Sequence, residues 1–206
     1  MSNSIKYNRK NDIKLSKKLC KLLRHNPRGL NIKSDGCVKV WDILKLPDFK
    51  QYKVEDIISV VKDNDKQRFS LQNTGNKMLI RANQGHSINI INQEKLLTRI
   101  NDPTNLPRCV HGTYIAAWKT IKTDGLYRMK RNHIHMAVGI PEDDGVISGM
   151  RSSCEIIIYI NVQKAMEEGG LIFYSSSNNV ILTEGPILPC YFSKCIRRKD
   201  GVNLLD

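Results

Sequence analysis

Apolar residues near the start of the chain recur at helical intervals. Leu15, Leu19, Leu22 and Leu23 stand at i, i+4, i+7 and i+8, with lysines on the opposite face. The spacing predicts a helix from Ile13 that ends at Asn26-Pro27-Arg28-Gly29, because the residue before proline avoids the α region. Val38 to Val40 reads as a short extended piece and Trp41 to Leu46 as a short helix halted by Pro47, with Trp41 in the core. Val54 to Val61 reads as a further helix. Arg68 to Gln72 and Lys77 to Arg81 alternate as two strands joined by a turn at Asn73-Thr-Gly-Asn76. Three helices followed by a two-stranded ribbon is a winged-helix pattern. The pattern assigns residues 13–100 to a first lobe after a flexible stretch of residues 1–12.

Asn101 to Pro107 is the best linker candidate, which leaves residues 108–206 as a second lobe. There the pattern becomes strand-rich. Cys109 to Thr113 is a strand and turn, Ile115 to Thr123 a helix, and Gly139 to Gly149 a turn-rich stretch. Glu155 to Ile160 is a buried strand and Val162 to Glu168 a short helix. Leu171 to Tyr174 and Asn179 to Thr183 are two more strands. The fold class expected is α+β in two lobes.

Charge separates the lobes further. The chain carries a formal net charge of +13, but residues 1–100 hold 21 Lys/Arg against 9 Asp/Glu while residues 101–206 hold 12 against 11. A basic first half beside a near-neutral second half suggests that one lobe faces a polyanion. The six cysteines show no Cys-x-x-Cys spacing and no zinc-ligand run, so reduced, mostly buried thiols are expected and no metal. There is no apolar run of roughly 18 residues and no signal-peptide core at the N-terminus, so no membrane span and a cytosolic or nuclear location are expected. Walker A, Gly-x-Gly-x-x-Gly and Gly-x-Ser-x-Gly runs are all missing, which disfavours ATPase, Rossmann and α/β-hydrolase chemistry.

Several short segments could carry chemistry, and each has a plainer alternative. Arg24-His25 joins an arginine that stays protonated to a side chain that titrates near neutrality, but positive charge is also favoured at a helix C-terminus. Arg81-Ala-Asn-Gln-Gly-His86-Ser87 gathers groups that can grip phosphate oxygens, and equally makes an ordinary polar loop. His111-Gly112-Thr113 suits a ribose hydroxyl and a flat ring, or a tight turn. Arg151-Ser152-Ser153 suits a phosphate, or an exposed strand entrance. His133 and His135 are a weak metal pair with no supporting ligand nearby.

Taken together, these segments resemble one family. The segments are Leu15-Ser-Lys-Lys-Leu19 with Leu22-Leu-Arg-His25 and Pro27, Ile80-Arg-Ala-Asn-Gln-Gly-His-Ser87, His111-Gly-Thr113, Arg131-Asn-His-Ile-His135, Gly149-Met-Arg151 and Val180-Ile-Leu-Thr183. In this order, over residues 14–192, they are similar to the NAD-dependent RNA 2′-phosphotransferases that finish tRNA splicing. One departure is Asn178-Asn179-Val180 where the family commonly has Asn-Gly-Val, and asparagine tolerates the positive φ such a turn needs.

The resemblance implies a winged-helix RNA lobe and an ADP-ribosyltransferase-like lobe. It also implies NAD⁺ as co-substrate and an RNA 2′-phosphate, on spliced tRNA or another RNA, as substrate. The 2′-phosphate attacks the nicotinamide ribose and gives an ADP-ribosylated RNA phosphate. The ribose O2″ then closes on phosphorus, releasing 2′-OH RNA and ADP-ribose 1″,2″-cyclic phosphate. Arg24, His25, Arg81 and Arg151 fall on the family's essential set. His111 and Thr113 fall on the ribose and adenylate region, Gly112 on the nicotinamide amide, and His135, with His133 its rival, on the second histidine. Val180 and Ile181 stand where many ADP-ribosyltransferases place a glutamate. Asn132 and Ser152 are further NAD⁺ candidates. Lys17, Lys18, Asn83, Gln84 and His86 are expected on the RNA side. A monomer is expected. The alternatives are an ADP-ribosyltransferase acting on nucleic-acid terminal phosphates and a non-catalytic winged-helix RNA-binding protein.

The charge distribution generates a direct expectation. RNA binding should weaken steeply with salt, with log affinity falling by about 0.7 per log unit of salt for each phosphate neutralised on a single strand. A filter-binding titration at several salt concentrations measures this slope, and a salt-insensitive complex contradicts it.

Overall fold

The computed structural model describes residues 9–106, 108–140, 143, 146 and 148–205. Residues 1–8 of the stretch expected to be flexible, the Pro107 end of the expected linker and part of the turn-rich stretch before Gly149 lie outside the described residues. The chain is α+β and divides into two compact units, Met1–Lys95 and Leu96–Asp206.

In the first unit, α1 (Arg9–Arg24) buries Leu15, Leu19, Leu22 and Leu23, the stripe that the spacing picked out. The helix begins four residues before Ile13, with Asp12 in its first turn, where the helix dipole favours an acid. It ends as expected before Pro27, with the backbone N–H groups of His25 and Asn26 both donating to the Lys21 carbonyl. β1 (Val38–Lys39) leads into α2 (Val40–Leu44), which stops two residues short of the expected Leu46, and Pro47–Phe49 follows as a 3-10 turn. α3 (Val54–Lys62) starts where the Asp56 carboxylate accepts the Lys53 N–H at 2.7 Å. β2 (Phe69–Thr74) and β3 (Lys77–Ala82) pair through a two-residue turn at Gly75-Asn76, tighter than the four-residue turn expected. β1 adds to the other edge of β3, giving the antiparallel order β1-β3-β2. Trp41 is not core: it is 59% exposed on α2, because Val40 and Ile43 are the residues of that helix turned inward.

The short helix α4 (Gln93–Leu96) carries the chain across the division. The second unit therefore begins earlier than residue 108. β4 (Thr98–Ile100) pairs with β8 (Phe173–Ser175), so residues assigned to the first lobe belong to the second sheet. The Asp-Pro-Thr composition that read as a linker is instead a capped 3-10 turn at Pro103–Asn105, with the Asp102 carboxylate accepting the Thr104 N–H at 2.9 Å.

The other elements of this unit are β5 (Val110–Thr113), α5 (Ile115–Asp124), β6 (Ile134–Ala137), β7 (Ile156–Ile160), α6 (Val162–Glu167), β9 (Val180–Thr183) and β10 (Phe192–Arg197). The sheet runs β10-β7-β5-β6-β9-β8-β4, antiparallel at every described pairing. Two apolar clusters explain the unbroken Ile156–Ile158 run. Ile156, Ile158 and Ile160 pack in the main core, while Ile157 packs on the other face with Val110, Ala137 and Cys154. β10 escaped the sequence pattern because a register shift between Phe192 and Lys194 breaks its alternation. Asn179 adopts φ 57, the conformation that the Asn178-Asn179 turn requires. All six cysteines are free, four of them buried. Among the described residues no helix is long and apolar enough to cross a membrane.

Ile158, fully buried in the main core, is the position where truncation should be felt most directly. Ile158→Ala is expected to cost about 2–5 kcal/mol of unfolding free energy. Denaturant titration checks this, and a loss under about 1 kcal/mol contradicts the packing described.

Candidate active site

In the first unit, the loop after β3 folds against the C-terminal end of α1. The last carbonyls of a helix lack intrahelical donors, and here the Ser87 N–H donates to the Arg24 carbonyl at 2.9 Å. The same contact places the His25 Nδ1 3.0 Å from the Ser87 hydroxyl oxygen. Gly85, at φ 86, lets the loop pass the arginine: a Cβ there would stand 3.3 Å from Arg24 Nη1. Gln84 and His86 are both buried. A Cβ on Gly36 would lie 3.6 Å from His86 Nε2 and 3.7 Å from Arg81 Cβ, so that one glycine borders both residues. Arg81 Nε is buried with no hydrogen-bond partner among the described residues. An unmet buried donor costs on the order of 1–3 kcal/mol, and more when it is charged. Such a group is stabilised by an acceptor from outside the chain.

In the second unit the geometry turns on how little β5 and β6 pair. β5 joins β7 at four positions but meets β6 only at Val110 and Ala137. Beyond that pair the His135 carbonyl accepts from the His111 side chain, Nδ1 to O 2.9 Å. Burial lowers the His111 pKa, with the bond to the His135 carbonyl opposing the shift, so the ring is neutral at pH 7. A carbonyl only accepts, so Nδ1 holds the proton and Nε2 is left as an acceptor suited to a hydroxyl. The His135 Nδ1 in turn donates to the His133 carbonyl at 3.0 Å. Thr113 is buried, and its carbonyl accepts the Glu155 N–H at 2.9 Å.

Arg151 is exposed on the turn between Gly149 and Cys154. Gly149, at φ 101, sits so close to β6 that a Cβ would lie 2.7 Å from the Met136 carbonyl oxygen. The Met150 side chain packs where a Cβ on Gly112 would be, and Cys154 Sγ would lie 2.9 Å from that position. Gly112 is therefore required by Met150, in addition to any flat ligand. Tyr114, the residue after Thr113, has its hydroxyl 3.0 Å from the Ser153 Oγ. Hydrogen bonds to Ser153 and then to Arg151 hold its phenol below the ordinary range. Arg198, just past β10, donates from Nη1 to the carbonyls of Ser152 at 2.6 Å and Cys154 at 3.1 Å. Burial first, and then the charge of Arg151, lowers the Arg131 pKa. Neither arginine has an ion-pair partner among the described residues.

The structure thus gathers Arg24, His25, Arg81, Gln84 and His86 in the first unit. It gathers His111, Gly112, Thr113, His135 and Arg151 in the second. Lys17 is exposed on α1, Asn132 is half-buried and Ser152 is exposed, its carbonyl held by Arg198. Other expectations are corrected. Asn83 is 3% exposed, with its amide N–H donating to the Gln67 carbonyl and its amide oxygen accepting from Ser70, so it fixes the hairpin exit and does not face a ligand. The Lys18 ammonium donates to the Asp48 carbonyl at 2.7 Å and lies within 6 Å of the Phe49 and Tyr52 rings, which ties it to the 3-10 turn. Val180 and Ile181 are at most 1% exposed within apolar clusters, so their side chains are core. His133 is buried edge-on to Tyr174, which leaves the half-buried His135 as the histidine beside His111. Ser87, Tyr114 and Arg198 were missed as site-building residues. Ser87 stood inside a motif already noticed, whereas nothing local marks Arg198.

A sequence model of the RNA 2′-phosphotransferase, Tpt1/KptA family matches residues 10–185. The chain is 44% identical to the Danio rerio tRNA 2′-phosphotransferase 1 over 197 residues, 91% of this chain and 87% of that protein. It is 38% identical to the Saccharomyces cerevisiae tRNA 2′-phosphotransferase over 182 residues, 84% of this chain and 79% of that one. A Schizosaccharomyces pombe protein is 47% identical over 196 residues, 93% of this chain, and the chain spans only 53% of that protein's length.

The neutral state of His111 has a measurable signature. Burial is the leading cause of lowered pKa for His111 and also for His133. As pH falls below the ordinary histidine value of about 6.5, the unfolded chain takes up these protons before the folded one. Stability present above that pH is then lost progressively toward the folded pKa values. NMR titration should place both midpoints below about 6.5, and a His111 midpoint at or above it contradicts the neutral ring described here.

Proposed function

The chain belongs to the RNA 2′-phosphotransferase, Tpt1/KptA family, and from that premise we propose that it transfers an internal RNA 2′-phosphate to NAD⁺. In this reading the first unit is a winged-helix RNA lobe and the second an ADP-ribosyltransferase-like lobe, acting as a monomer on spliced tRNA or another 2′-phosphorylated RNA. A 2′-phosphate oxygen bonds to the nicotinamide ribose C1″ as the C1″–N bond breaks and nicotinamide leaves. O2″ then bonds to phosphorus, loses its proton, and the P–O2′ bond breaks. The RNA 2′-oxygen takes up a proton, and the phosphate departs as ADP-ribose 1″,2″-cyclic phosphate.

The observation that carries the reading is the Arg81 guanidinium, whose buried Nε has no partner among the described residues. A phosphate is already ionised near neutrality, so it needs positioned cations more than a strong base. Arg24 and Arg81 in the first unit, and Arg151 in the second, are each assigned to phosphate, which a guanidinium can bind bidentately. His25 is the proton donor proposed for the leaving 2′-oxygen, and the Ser87 hydroxyl at its Nδ1 fixes the ring. On the NAD⁺ side, the donor set fits a ribose. Neutral His111 offers Nε2 to a hydroxyl, and Thr113 and His135 stand beside it.

Incubating the chain with a 2′-phosphorylated oligonucleotide, with and without NAD⁺, tests the proposal. Cyclic phosphate and 2′-OH RNA are expected only with NAD⁺. Arg81→Ala should lower turnover at least about 100-fold while the chain stays folded. Dephosphorylation without NAD⁺, or an Arg81→Ala variant with full activity, overturns it.

A further inference from the structure

We propose that Arg198 is a positioning residue for Arg151, acting through the backbone of the turn that carries it. The proposal rests on the phosphate role given to Arg151 above. Arg151 is an exposed side chain on an irregular turn, and its own position is set by whatever fixes that turn. Upstream, Gly149 is pressed against β6 and Met150 is seated on Gly112 of β5. Downstream, Arg198 is half-buried and bonds the carbonyls of Ser152 and Cys154, the first and third residues after Arg151. Its backbone N–H also donates to the Glu155 carbonyl at 2.8 Å, which places its own stem beside β7. Arg151 therefore lies between two anchored ends, and Arg198 supplies the charged one.

Both carbonyl contacts come from the same nitrogen, Nη1. An ammonium brought to that point can make both bonds, since lysine carries three donors. A methionine of similar length can make neither. A guanidinium that must meet phosphate oxygens in a fixed geometry loses rate when displaced by about 1 Å. The effect of losing Arg198 should fall first on turnover, because its two carbonyl contacts hold the turn that carries Arg151.

Arg198→Met and Arg198→Lys in the full chain separate the possibilities. Turnover with NAD⁺ and a 2′-phosphorylated oligonucleotide is expected to fall about tenfold or more in Arg198→Met, with the NAD⁺ KM and the melting temperature little changed. Arg198→Lys should recover most of the rate. Amide hydrogen exchange of residues 150–154 should rise in the methionine variant and return in the lysine variant. If methionine prevents folding, Arg198→Gln takes its place under the same comparison. Wild-type turnover in Arg198→Met, or equal losses in both variants that track a fall in melting temperature, overturns the proposal. An inactive wild-type chain overturns the functional reading instead, and the exchange measurement then still decides whether Arg198 holds the turn.

Discussion

The hydrogen bond from the His111 imidazole to the His135 carbonyl is the constraint around which the second unit is arranged. β5 commits four residues to β7 and one to β6, so the β5-facing backbone groups of β6 before Ala137 need other partners. A buried carbonyl left unpaired is costly. The histidine supplies the donor, and in doing so it fixes its own tautomer and its remaining acceptor. One bond thus closes a gap in the sheet and sets the chemistry offered there. Gly112 follows from the same arrangement. With β5 and β6 parted after one pair, Met150 can seat on the strand backbone only where no Cβ stands.

The first unit solves a similar problem at a helix end. The final carbonyls of α1 need donors, and the loop after β3 brings the Ser87 N–H to one of them. Gly85 permits the approach beside the Arg24 side chain. In the first unit a loop completes the backbone valence of the element that carries the charged group, and in the second the titratable side chain does so itself. Among the described residues, no acidic side chain pairs with Arg81 or Arg151. That is the arrangement suited to an anion that arrives already ionised.

Much of this was legible in the sequence. The leucine stripe, the hairpin and the Ile156–Ile158 run have strong periodicities or apolar runs, and the structure keeps them within a few residues. The site motifs were legible as short runs of chemically apt residues, although each alone had a bland alternative. What failed did so for identifiable reasons. Trp41 looked like core because tryptophan usually is, but a five-residue helix buries few positions, and Val40 and Ile43 take them. β4 is three residues long and hid before a proline-rich stretch, so composition pointed to a linker. β10 lost its alternation at a bulge. Lys18 and Asn83 have the right chemistry for a substrate, but each is held by neighbours that only the folded chain supplies. Arg198 carries no local signal, because its meaning lies in carbonyls 44 and 46 positions away.

The docking of Ser87 on the end of α1 also says something about when the first unit's charged cluster comes into being. The contact joins residues 62 and 63 positions apart, with both β2 and β3 lying between them. Loop-closure entropy must be met before such a contact contributes, whereas the leucine stripe of α1 can form locally. Arg24 and His25 acquire their final geometry only once the hairpin is made. The cluster is a late product of the fold, and its integrity reports on the whole unit.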